Sequence, residues 1–287
     1  MVQDPILLII DPGLVAPCLE AVNCISKIMG EFTKKPEFAF HHVEYFSPIL
    51  NKKRLKDFVH NKTIGAVICL GSIANVTDNL PSVENLITDI KEYIFKPHIP
   101  FFGICFSHQM FASMSGYKVF YLKDRHKIPH GKHHHFRELT LLHPKFLLLA
   151  TNLNRVDYFS NNLSDINFKE FIKKTNDWGQ KQWEILATPR PWILTPFEHR
   201  LNEHIKLNTS KNIVSHARHE QEVWEKESSS DNEIVLAGTS PTCVYEALVH
   251  CQKPFFSLQT HPETSHQSFG GYRLIKNFIY MSSLMLL

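Results

Sequence analysis

At 287 residues the chain can bury a large core, as one large domain or two small ones. Hydrophobic residues make up 43% and charged residues 21%, the balance of a soluble globular protein. A net charge of only +3, with 18 histidines counted neutral, argues against a nucleic-acid surface. Six cysteines (Cys18, Cys24, Cys69, Cys105, Cys243 and Cys251) form no Cys-x-x-Cys pair, and several sit in apolar runs. That usage fits a reducing, cytoplasmic setting better than a disulfide framework.

The first residues, Met1–Pro12, carry Asp4 and Asp11 around an apolar pentad and lack the basic start and cleavage site of a signal peptide. Ile6–Ile10 reads as a buried strand, followed by a helix over Val15–Phe32 with apolar residues at Leu19, Val22, Ile25, Ile28 and Met29. Phe38–Phe46 is a second strand candidate, Leu55–Val59 a short helix, and Ala66–Leu70 a third strand ending at Gly71. Val83–Ile94 has a helical stripe, Phe101–Ile104 is a fourth strand, and Gln109–Met114 begins its helix. Such alternation predicts an α/β fold with a mostly parallel central sheet flanked by helices, its functional residues at the carboxyl ends of the strands.

Beyond Gly116 the texture becomes β-rich, with strand candidates at Tyr117–Tyr121, Glu138–Leu142, Ile213–His216, Ile234–Thr239, Tyr245–Val249 and Pro254–Gln259. Between them, about 144–207 reads as an irregular, partly helical insertion in an otherwise single domain spanning 1–287. Glu225–Asp231 reads as a polar loop tip. The apolar tail Leu274–Leu287, broken by Lys276, Asn277, Ser282 and Ser283, is too short and polar to cross a bilayer and predicts a packed helix. No membrane partner is expected.

Chemistry concentrates where the fourth strand turns. In Gly103-Ile104-Cys105-Phe106-Ser107-His108-Gln109, small residues flank the cysteine at minus two and plus two. That spacing fits a sharp strand-to-helix turn that presents one side chain, the thiol counterpart of a serine nucleophile elbow. The helix N-terminus beside it favours a thiolate. A thiolate nucleophile needs a base and a group to orient that base. In Gln259-Thr260-His261-Pro262-Glu263 an apolar strand runs into His-Pro-Glu. His261 then stands in the same layer as Cys105, with Glu263 placed to accept a hydrogen bond from the imidazole. A third strand end, Cys69-Leu70-Gly71-Ser72, offers free backbone N–H groups to an oxyanion.

These three pieces, in this order, resemble class I glutamine amidotransferase domains, most closely stand-alone GMP-synthase-like ones. That family carries Gly-x-Cys-x-Gly-x-Gln and Gln-x-His-Pro-Glu. Weaker echoes are Ser215-His216-Ala217-Arg218-His219 for a Ser-His-x-Asp strand, and Val235–Ser240 for the strand after it. The resemblance implies a flavodoxin-like amidotransferase fold and hydrolysis of the glutamine side-chain amide through a γ-glutamyl thioester on Cys105. It implies His261 as proton carrier, Glu263 as its orienter, and backbone amides of Phe106 and of Gly71 or Ser72 as oxyanion donors. Gln109 is implied to bind substrate. Neither metal nor cofactor is implied. Partners are a small-molecule substrate, glutamine or a γ-glutamyl compound, and a separate synthase subunit if the ammonia is passed on.

Two other functions fit the same residues: a γ-glutamyl peptidase, and a binding or regulatory module on the amidotransferase scaffold. The family's usual glycine at plus two is Ser107 here, where a positive φ would be costly. Ser72 likewise replaces a common second glycine. The remaining five cysteines read as small buried hydrophobes. His130 and His133–His135 invite a metal, but consecutive strand residues face opposite sides, so the run does not focus its imidazoles. Trp178, Trp183 and Trp192 form either a recognition surface or the insertion's own core.

Overall fold

The computed structural model describes residues 4–13, 18–32, 38–121, 133–150, 212–219, 221–226, 233–241, 243–264 and 270–286. Five short apolar strands run parallel: β1 (Ile6–Ile10), β2 (His42–Phe46), β3 (Ile64–Cys69), β4 (Phe101–Ile104) and β11 (Phe255–Leu258). Next to β11 the sheet turns antiparallel through β10 (Ala247–His250), β9 (Ile234–Thr239), β6 (His133–Leu141) and β7 (Asn212–His219). The order across the nine strands is β2-β1-β3-β4-β11-β10-β9-β6-β7. A separate antiparallel pair joins β5 (Tyr117–Tyr121) to β8 (Gln221–Lys226).

Successive strand residues face opposite sides, so the unbroken apolar strands feed two cores. Leu7, Ile9, Ile68, Phe102 and Ile104 pack under α1 (Leu19–Phe32), α6 (Pro144–Ala150) and α7 (Gly271–Leu284). Leu8, Ile10, Val67, Cys69 and Phe101 pack against α3 (Leu55–Val59), α4 (Pro81–Ile90) and α5 (Phe106–Met114). The one-turn helix α2 (Pro48–Asn51) lies between β2 and α3. Phe102, Phe146, Phe256 and Phe278 interlock across the first core at centroid distances of 5.4 to 6.4 Å. Burying each such ring contributes about 2–3 kcal/mol.

Several bounds differ from the sequence reading. The stripe ending at Ile94 splits into α4 and a π-turn over Lys91–Phe95. Strands β6 and β7 extend well into polar sequence, because their pairing satisfies the backbone whatever the side chains are. Pro144–Ala150, counted above into the insertion, is a core helix: Phe146 and Leu149 are fully buried and Asn277 donates to the Leu149 carbonyl at 2.6 Å. The rest of the insertion, with Trp178, Trp183 and Trp192, lies outside the described residues, as does much of the 225–231 loop. His133–His135 sit consecutively on β6, with His133 opposite His219 of β7. Among the described residues no His, Cys, Asp or Glu cluster is arranged to hold a metal. No helix among them is long and apolar enough to cross a membrane.

Candidate active site

Strand β4 stops at Ile104 and α5 starts at Phe106, so Cys105 makes the turn alone. Its backbone sits at φ 52°, ψ −107°, a conformation that costs a side-chain-bearing residue about 1–3 kcal/mol. Two bonds hold it there: the Cys105 N–H donates to the Leu258 carbonyl at 2.8 Å, and the Gln109 N–H donates to the Cys105 carbonyl at 3.0 Å. Gly103 is needed because a Cβ there would lie 3.0 Å from the Ser107 carbonyl oxygen. The strain expected at Ser107 is absent: Ser107 is helical, and the positive φ falls on the cysteine itself.

His261 follows β11 and enters the same space. Its Nδ1 bonds Glu263 Oε1 at 2.7 Å, and a side-chain hydrogen bond joins the imidazole to Cys105. With Nδ1–H donated to the carboxylate, Nε2 is the nitrogen left for the sulfur. Burial disfavours the imidazolium. The Glu263 carboxylate, and then Cys105, outweigh that and hold the His261 pKa well above its usual 6.5. The Glu263 carboxylate is almost wholly buried, and its Oε2 has no hydrogen-bond partner among the described residues, so the imidazole bears its charge compensation.

Gly71, just past β3, closes the third side. A Cβ there would lie 2.9 Å from His261 Cε1 and 3.3 Å from Cys105 Cβ, so only glycine lets the three strand ends approach. Ser72 does not turn its hydroxyl inward: Oγ donates to the Pro12 carbonyl and accepts from the Ala74 N–H, both at 3.0 Å. Among the described residues, no backbone carbonyl accepts from the amides of Gly71 or Ser72. The Phe106 amide lies in the first turn of α5, ahead of the helix's first hydrogen bond.

Gln109 is buried, and its Nε2 donates to the Gln221 carbonyl at 2.8 Å and lies 3.4 Å from Gln259 Oε1. Two further residues join the site without having been singled out from the sequence. Gln259, fully buried, brings Nε2 to 4.0 Å from Cys105 Sγ. Asp11, at the end of β1, accepts from the Gly13 and Cys18 amides at 2.8 Å and from the Tyr45 hydroxyl, fixing the loop that Ser72 grips. The only signal for Asp11 was its position, an acid straight after an apolar strand. Burial pushes the thiols of Cys24 and Cys69 up to about 12, so both stay neutral.

The profile of the class I glutamine amidotransferase family matches residues 38–156 and 193–281, and the chain belongs to that family. A GMP synthase [glutamine-hydrolyzing] of Francisella tularensis subsp. novicida is 36% identical over 77 residues, which is 25% of this chain and 15% of that enzyme. The chain thus matches only a small part of that relative. Two solved structures share the fold at 14% identity. One, described as a GMP synthase subunit from Thermoplasma acidophilum, superposes with a TM-score of 0.54 over 98% of this chain and 96% of its own. A glutamine amidotransferase of Thermotoga maritima gives 0.53 over 91% and 77%.

Proposed function

We propose that the protein hydrolyses the side-chain amide of glutamine to glutamate and ammonia through a γ-glutamyl thioester on Cys105. The observation that carries this reading is the hydrogen-bonded sequence Cys105, His261, Glu263 at the carboxyl ends of β4 and β11. His261 takes the thiol proton at Nε2, and Sγ forms a bond to the amide carbon while the carbonyl electron pair moves onto oxygen. The amides of Phe106 and of Gly71 or Ser72 hold that oxyanion. On collapse the C–N bond breaks and the imidazolium gives its proton to the leaving ammonia. Water then attacks the thioester, His261 accepts its proton, the C–S bond breaks, and glutamate leaves.

Glu263 keeps Nδ1 protonated and stabilises the imidazolium formed in each half-reaction. Gln109, its nitrogen already engaged, offers its carbonyl oxygen to the substrate. The ammonia passes to a separate synthase subunit or is released; the GMP-synthase relatives support the former.

The test compares ammonia release from glutamine by the purified chain and by Cys105→Ala. Equal release from both would refute the reading. Cleavage of a γ-glutamyl dipeptide with no action on glutamine would move the same chemistry to a peptidase. Failure of a glutamine-analogue electrophile to label Cys105, with partners present, would favour a non-catalytic module.

A further inference from the structure

We infer that Ser107 is a positioning residue that fixes the Leu70–Gly71 peptide and so aims the Gly71 amide, one of the two oxyanion donors in the amidase reading on which this inference rests. Ser107 is fully buried on the first turn of α5, and its Oγ lies 2.6 Å from the Leu70 carbonyl oxygen. Cys69 Sγ lies 3.0 Å from the same hydroxyl. A hydroxyl has one proton to give, and a carbonyl can only accept, so Ser107 O–H donates to Leu70. The buried, neutral Cys69 thiol is left to donate to Ser107 Oγ.

The Leu70 carbonyl and the Gly71 N–H belong to one planar trans peptide. The two groups therefore point in opposite directions. Holding the carbonyl on Ser107 fixes the plane of this peptide, and with it the direction of the Gly71 amide. The Leu70 N–H is itself fixed by the Ile10 carbonyl at 2.8 Å, and Ser72 anchors the far side of the turn on Pro12 at 3.0 Å. Without the Ser107 bond this peptide is free to rotate, because Gly71 accepts either sign of φ. The bond also polarises the peptide, which strengthens the amide as a donor. The side chain that departs from the family's glycine is thus a latch between the nucleophile elbow and the oxyanion turn.

The experiment uses the full chain as wild type, Ser107→Ala and Ser107→Thr, with two readouts. One is steady-state hydrolysis of glutamine and of γ-glutamyl p-nitroanilide, which passes through an oxyanion. The other is the rate of Cys105 alkylation by iodoacetamide, a displacement that develops none. Deleting an oxyanion donor outright costs about 10²–10³ in kcat, so misaiming one in Ser107→Ala is expected to cost about tenfold to a hundredfold. KM and the alkylation rate should stay within about twofold, and Ser107→Thr, which keeps the hydroxyl, should recover most of the loss.

Turnover by Ser107→Ala within about twofold of wild type would overturn the inference, and so would an alkylation rate that falls in step with turnover. If Ser107→Ala does not fold, Ser107→Gly, carrying the family's usual residue, takes the same two measurements. Failure of both to fold would make the hydroxyl structural and overturn the inference. A wild type that alkylates at Cys105 yet hydrolyses neither substrate would refute the amidase reading itself, and this inference would fall with it.

Discussion

Glu263→Gln removes the charge behind the proposed proton carrier while keeping its shape. The bond at stake is 2.7 Å long, between a carboxylate 1% exposed and an imidazole 15% exposed. Hydrogen bonds to charged groups contribute about 1.5–3 kcal/mol. Losing the charge should lower the His261 pKa, because burial, which disfavours the imidazolium, is then opposed by Cys105 alone. The sign for stability follows from linkage. A histidine with a raised folded pKa contributes stability that is fully present below 6.5 and lost as pH rises through that folded value. The gap in stability between wild type and Glu263→Gln should therefore be widest in acid and narrow as pH rises. Turnover should fall about 10²–10⁴-fold, because the introduced amide can donate to Nδ1 and leave Nε2 carrying the wrong proton. The assay is a carbon-13 titration of histidine Cε1, with the signal assigned by its loss in His261→Asn, run beside glutamine hydrolysis. An unchanged His261 midpoint in the variant would refute the reasoning.

Gly71→Ala should lower turnover at least about a hundredfold, since its Cβ meets His261 Cε1 at 2.9 Å, while destabilising the fold by only about 1–3 kcal/mol, checked by urea melts. Cys105→Ala and Cys105→Gly should both be inactive, but the glycine variant should be the more stable by about 1 kcal/mol because it relieves φ 52°. Thermal melts of the two would show it. Lys145→Met should destabilise by about 2 kcal/mol or more, read in the same melts. It strands the carbonyls of His250, Cys251 and Lys253, which the buried ammonium reaches at 2.9, 2.5 and 3.3 Å.

How far the sequence could be read tracks how local each feature is. The elbow was legible because an apolar strand, a glycine two residues before the cysteine and a helix-like start lie within about ten residues. His261 and Glu263 were legible because an apolar strand runs into His-Pro-Glu within a few residues, β11 ending at Leu258 and a short 3-10 turn beginning at Pro262. Strands β6 and β7 were read short, since alternation is the only local strand signal and His-rich, Arg-bearing sequence hides it. Helix α6 was misplaced into the insertion because its burial depends on Asn277 and Phe278, far along the chain. Nothing local singles out Lys145, which is fully buried against the turn between β10 and β11.

The sequence by itself pointed to Cys105, to His261 and Glu263, to the Gly71-Ser72 turn, and to the α/β alternation of the fold. Those are properties of short windows, in which backbone chemistry leaves few choices. Tertiary structure alone decided that the strain sits on Cys105 and not on Ser107. It alone aimed Gln259 at the sulfur, committed the nitrogen of Gln109 to β8, and tied Ser107 to the peptide that bears the Gly71 amide. Each of these is set by contacts between segments distant in sequence, and only the closing of the sheet fixes their distances.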